Sequence, residues 1–137
     1  MTIVLDTNCL LQIIGKKSIY RKLLDSIIEG KVKLLLSNDV ILEYEEILSN
    51  KISSNFAYLF LTALLEYKTI IKVDIHFYWN LISVDPDDNK FIDLGLNGNA
   101  DFLITNDAHF NSLKQIQFPI LKIISLKDYF NDVFNSQ

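Results

Sequence analysis

Glycine, proline and cysteine are all scarce in this 137-residue chain, which has four Gly, two Pro and the single Cys9. A lone cysteine forms no internal disulfide, and without a C-x-x-C pair it makes neither a zinc site nor a dithiol redox centre. With so few glycines there is no phosphate-cradling loop. Basic residues are outnumbered, 13 against 17 acids, for a formal net charge of -4. That balance excludes a protein that simply coats a polyanion with Lys and Arg. It leaves nucleic acid open as a substrate, because bound metal neutralises clustered acids. Long apolar runs are missing too: the hydrophobic stretches are interrupted by charge, so none spans a bilayer. Met1 leads straight into a strand-like segment with no basic n-region of a signal sequence. The expectation is a cytoplasmic protein without membrane association. Half of the residues are hydrophobic and 22% are charged, the balance of a globular chain, and the length suits one domain, 1–137, around one core.

What is present alternates between two periodicities. Thr2 to Leu5 is a short, β-branched apolar run, a buried strand. A helical pattern follows through Cys9, Leu10, Ile13 and Ile14, stopping at Gly15. Ser18 is placed to cap a second helix with apolar positions Ile19, Leu23, Leu24, Ile27 and Ile28, closed by Gly30. Val32 to Leu36 reads as a strand, Val40 to Leu48 as a helix capped by Ser37 or Asn38, and Phe56 to Tyr67 as another helix. Thr69 to Val73 reads as a strand, and the aromatic stretch HFYWNLISV after it has no clear periodicity. Asp85 and Pro86 announce a helix running to about Gly98, followed by strands at Phe102–Thr105 and Ile120–Ile124 and a closing helix from Lys127 to Phe134. Strands alternating with helices predict an α/β domain with a mainly parallel sheet.

Two of the strands end in acid. TIVLDTN delivers Asp6 and DFLITND delivers Asp107, each directly after an apolar run. In an open parallel sheet the C-terminal strand ends line one edge, where ligands bind, so both carboxylates are aimed there. Asp88 is a third candidate, in the first turn of its helix if Asp85 is the cap, where the helix dipole favours negative charge. By this reading that helix begins on the far side of the active edge unless it crosses or tilts, so spacing alone does not bring Asp88 to the others. Glu43 lies at the rim of the stripe formed by Val40, Tyr44, Ile47 and Leu48, and Glu45 lies beyond the other border, beside Ile41. Periodicity favours Glu43 only weakly over Glu45. Carboxylates gathered within a few ångströms repel one another and take up protons unless a cation is present. Oxygen donors suit Mg²⁺ or Mn²⁺, which polarise phosphoryl oxygens and activate water.

The pieces VLDTN (Val4 to Asn8), SNDVILEYEEIL (Ser37 to Leu48), DPDDNKFIDLGL (Asp85 to Leu96) and ADFLITNDAHF (Ala100 to Phe110) follow one another in the order of a PIN domain. The chain resembles that family of metal-dependent ribonucleases over most of its length, and is most similar to single-domain PIN toxins of toxin–antitoxin pairs. The resemblance implies a three-layer α/β/α fold and metal-binding, catalytic acids at Asp6, Glu43, Asp88 and Asp107. It also implies that Asn8 and Thr105 orient those acids, and that the helix carrying the third acid reaches the active edge. It selects Glu43 over Glu45. Asp85 is the rival of Asp88, less free because of its capping role. Asn106 departs from the family pattern just before the last acid. The implied activity is RNA phosphodiester hydrolysis with Mg²⁺ or Mn²⁺, leaving 5′-phosphate and 3′-hydroxyl ends. The implied partners are RNA and a protein antitoxin, with a homodimer as a further arrangement.

Other residues have quieter readings. Thr7 reads as a helix-start hydroxyl, Cys9 as a small core residue, Asp93 and Asp101 as surface acids. His76 and His109 show no triad or ligand spacing, and His109 reads as structural. Lys90 is placed to meet a substrate phosphate, whereas Lys16, Lys17, Arg21 and Lys22 read as a solvated helix start. Phe77, Tyr78 and Trp79 are either core or a partner patch. The rival function is a non-catalytic acidic-pocket domain, receiver-like or a degenerate PIN-like binding module. A receiver needs a second acid beside Asp6, where Thr7 and Asn8 stand, and a Lys where the chain has Thr105-Asn106-Asp107. A phosphohydrolase built on Asp-x-Asp meets Asn8 at the second acid, and a degenerate module would have lost acids that are all present.

Overall fold

Runs such as Ile3-Val4-Leu5, Leu34-Leu35-Leu36 and Leu103-Ile104 have no polar alternation, and all of these residues are buried. Strands of that kind must be covered on both faces, as in a parallel sheet between helical layers. The computed structural model describes residues 1–81, 86–110 and 121–136. In it, β1 (Thr2–Leu5), α1 (Thr7–Ile14), α2 (Arg21–Ile28), β2 (Lys33–Leu36), α3 (Asn38–Lys51), α4 (Ser54–Leu64) and β3 (Ile70–Lys72) follow in order. A 3₁₀ turn (Pro86–Asp88) leads into α5 (Asn89–Asn97), and β4 (Phe102–Ile104), β5 (Lys122–Ile124) and α6 (Leu126–Asp128) complete the order. A π-helical turn, Tyr129–Phe134, extends α6. Asp85 and Ile120 lie outside the described residues, so neither the cap expected at Asp85 nor the strand start expected at Ile120 has a structural counterpart here.

The sheet order is β3-β2-β1-β4-β5, and its four ladders are all parallel. The chain moves outward from β1 to β2 and β3, then returns past them to β4 and β5. Right-handed crossovers therefore put α1 to α4 on one face and α5 on the other, a three-layer α/β/α fold. The direction reverses between β1 and β4, and their carboxyl ends open the crevice where such sheets bind ligands. The edge strands β3 and β5 carry Lys72 and Lys122, charges of the kind that blunt edge-to-edge association. Among the described residues no helix is long and apolar enough to cross a membrane.

Capping decides several boundaries. Ser37, not Asn38, caps α3, its Oγ accepting from the Val40 N–H at 3.3 Å. Ser53 and Ser125 cap α4 and α6 in the same way, at 3.0 and 3.1 Å. Ser18 does not cap α2: its hydroxyl accepts from the Tyr20 N–H, a local turn that competes with helix, and α2 begins at Arg21. Ile19 is consequently left 77% exposed rather than buried. Arg21 donates to the Ile14 carbonyl at 2.7 Å and pairs with Asp25, so one member of the basic stretch ties α1 to α2. Gly30 has φ +88°, the left-handed conformation expected just beyond a helix.

Tyr44 joins α3 to the sheet. Its ring is fully buried and its hydroxyl donates to the Leu5 carbonyl at 2.5 Å, one residue before Asp6. Burial holds the phenol well above its ordinary pKa, so it remains a donor. Tyr44→Phe is expected to keep the fold and lower stability by about 1 kcal/mol, the net worth of one buried hydrogen bond, as measured by urea unfolding.

Candidate active site

Asp6 stands where β1 becomes α1. Its N–H donates to the Ile104 carbonyl at 3.0 Å and its own carbonyl accepts from Leu10 N–H at 3.0 Å, so both the sheet and the helix hold its backbone. The side chain is 7% exposed. Thr105, buried just after β4, donates its hydroxyl to Asp6 Oδ2 at 2.7 Å and accepts from the Asp107 N–H at 3.1 Å. One hydroxyl thus links the residues that follow two adjacent parallel strands. Burial is the main cause of a raised Asp6 pKa; hydrogen bonds from Thr105 and the Thr7 backbone oppose it, and the charges of Glu43 and Asp107 add to it. Cys9, on the buried side of α1, has its thiol pushed up to about 12 by burial, which fits its reading as a small core residue.

Glu43 comes to this edge from α3. Thr7 donates its hydroxyl to Glu43 Oε2, and Lys90 Nζ lies 3.0 Å from Oε1. Glu45 is exposed, so Glu43 is the glutamate of this helix that joins the cluster. The hydroxyl that meets Glu43 belongs to Thr7, next to Asn8. Asn8 is exposed and its amide makes no hydrogen bond with the described residues, because it turns outward on the first turn of α1. Thr7, one residue earlier, faces inward and orients the carboxylate. A hydroxyl directly after the acid was the available signal. Lys90 sits among these acids, paired to one of them.

Asp88 also arrives, as the family resemblance implied and spacing alone left open. A helix in a parallel crossover runs opposite to the strands, and α5 ends beside Ala100 and Asp101, next to the start of β1. Its beginning therefore lies at the carboxyl edge without any special tilt. Asp88 is the residue before α5, at the end of the 3₁₀ turn, rather than in the first turn of the helix. Its Oδ2 lies 3.0 Å from Nδ1 of His109, and the same nitrogen lies 3.4 Å from Asp107 Oδ1. His109 is thus part of the acid cluster, not the purely structural residue its spacing suggested. One ligand atom each from Asp88, Asp107 and His109 lie within 4.8 Å of one another. Ligands at about 2.1 Å from a single ion are roughly 3 to 4.2 Å apart, so these residues fit a divalent cation.

Asp93 is a second correction. It is buried, not a surface acid, and its Oδ1 accepts from the Trp79 N–H at 2.9 Å. Asn97, one turn on, accepts from the N–H groups of His76 and Phe77 and donates to the Phe77 carbonyl. These two side chains fasten the segment after β3 along α5, leaving Phe77 and Tyr78 at 68% and 66% exposure: a surface patch, not core. Between this segment and α3 opens a cleft of about 440 Å³ beside Glu43, lined by Asp39, Glu46, Asp87, Asp93, Lys90 and Tyr78 among others. Asn106, the departure before the last acid, accepts from the Leu126 N–H at 3.1 Å and so ties this loop to α6.

With residues 2–109 matching the PIN domain model, the chain belongs to the PIN domain family, whose members are generally nucleases. The fold is also that of a chain in the crystal structure of VapBC2 from Rickettsia felis bound to a DNA fragment from their promoter. The two are 20% identical with a TM-score of 0.64, over 91% of this chain and 98% of that one. No curated protein sequence matches the chain.

Since the folded chain raises the Asp6 pKa above 3.8, it holds that proton more tightly than the unfolded chain does. The stability linked to Asp6 is therefore fully present below the unfolded value and lost as pH rises through the folded one. In chelator, Asp6→Asn is expected to melt above wild type at neutral pH, with the gap closing as pH falls towards 3.8. Thermal melts across that range check it.

Proposed function

We propose that this chain is an endoribonuclease that hydrolyses RNA phosphodiester bonds with Mg²⁺ or Mn²⁺ held by Asp6, Glu43, Asp88 and Asp107. One observation carries the reading: Thr105 joins Asp6 to the Asp107 backbone across adjacent strands, within a cluster that also takes in Glu43. Acids packed this closely oppose one another's ionisation, and a cation relieves that cost. When bound, a divalent ion supplies Lewis-acid activation of water and of the phosphoryl oxygen.

The chain's own groups divide the remaining work. Thr105 and Thr7 hold Asp6 and Glu43 in single orientations, so the acids need no rearrangement on binding. Lys90 balances Glu43 at the mouth of the site and is the ammonium placed to meet the scissile phosphate. The products are 5′-phosphate and 3′-hydroxyl ends. The receiver-like and degenerate binding readings have no comparable support.

The biological role we propose is that of a toxin restrained by a protein antitoxin. The likeness of fold to a chain of VapBC2 supports a partner, as does the cleft beside Glu43. Its lining acids Asp39, Glu46, Asp87 and Asp93 outnumber Lys90, a balance suited to a cationic side chain of a protein partner.

Incubation of a mixed RNA pool with the chain tests the activity. Cleavage is expected with Mg²⁺ or Mn²⁺ and lost with chelator, and Asp6→Asn or Asp107→Asn is expected to lower the rate by about a hundredfold or more. Lys90→Gln is expected to raise KM more than it lowers kcat. Equal cleavage in all samples would rule the catalytic reading out.

A further inference from the structure

The arrangement at the start of α5 bears on which ion the site takes. His109 follows Asp107 by two residues, and its backbone N–H donates to Asp107 Oδ1 at 2.9 Å. The next residue, Phe110, is fully buried and donates its own N–H to the Asp107 carbonyl at 3.3 Å. A turn closed on one side and anchored in the core on the other thus fixes where the imidazole starts. The ring directs Nδ1 at both carboxylates, 3.0 Å from Asp88 and 3.4 Å from Asp107, which come from different elements.

We infer that His109 Nδ1 is a ligand to the divalent ion alongside Asp88 and Asp107, and that this nitrogen makes the site prefer Mn²⁺ to Mg²⁺. The inference rests on the cation-dependent reading above and deepens it. Mg²⁺ takes oxygen donors, holds its waters and demands near-ideal octahedral geometry. Imidazole suits transition ions, and Mn²⁺ accepts both carboxylate and nitrogen ligands. A site that adds one imidazole to its carboxylates therefore selects between the two ions through its nitrogen.

The test uses ion binding rather than turnover. Mn²⁺ is titrated into the chelator-treated full chain, with free aqueous Mn²⁺ followed by its electron paramagnetic resonance signal and Mg²⁺ added as competitor. Wild type is expected to bind Mn²⁺ more tightly than Mg²⁺ and to give a ¹⁴N coupling in pulsed spectra of the bound ion. His109→Ala is expected to lose that coupling and to weaken Mn²⁺ binding by about 10- to 100-fold, with Mg²⁺ binding nearly unchanged. The ring is partly exposed, so the variant is expected to fold, and a melting curve checks this. If Asp107→Asn loses both ions while His109→Ala loses neither, the histidine inference is overturned and the cation site stands. If wild type binds neither ion, the cation-dependent reading falls as well.

Discussion

The parallel pairing of β1 with β4 is the contact on which the rest of the site depends. Its register sets Leu5 opposite Ile104, so the next residues of the two strands, Asp6 and Thr105, emerge side by side. The Thr105 hydroxyl can then reach the Asp6 carboxylate while receiving the N–H of Asp107. A slip of one residue would turn Asp6 to the other face of the sheet, because strand side chains alternate. The fully buried runs on either side make such a slip costly, and the hydrophobic core in this way secures the polar chemistry at its edge.

Around that pair the fold adds charge in a graded manner. Asp6 is the most enclosed of the four site acids and is held by hydroxyl and backbone donors. Glu43 is more open and has an ammonium beside it. Asp88 and Asp107 meet an imidazole. Asp6, Glu43 and the Asp88–Asp107 pair therefore have three different counterparts. The arrangement is compact although its members span residues 6 to 109.

Much of this was legible in the sequence, and the misses have physical causes. Continuous apolar runs marked the strands because two-sided burial removes alternation, and acids directly after such runs marked the edge. Resemblance to the PIN family chose Glu43, which periodicity favoured only weakly: a residue at the rim of a helical stripe has two outward paths, and only tertiary contact selects one. That Thr7 meets Glu43 was not legible for a similar reason, since adjacent residues at a helix start differ by about 100° in direction and sequence does not give the phase. Asp93 looked like a surface acid because its partner is a backbone N–H fourteen residues away, which carries no side-chain signal. His109 was missed because its companions, Asp88 included, are assembled by a crossover, not by local spacing.

The strip after β3 has a property of its own. Its path is dictated from outside, by a carboxylate and an amide on a neighbouring helix that grip main-chain atoms and ignore what the rings are. The contour of this strip therefore depends on the side chains at positions 93 and 97 and not on the rings at 77 and 78. Such a separation of contour from character lets one nuclease frame acquire new recognition surfaces beside an unchanged reaction centre.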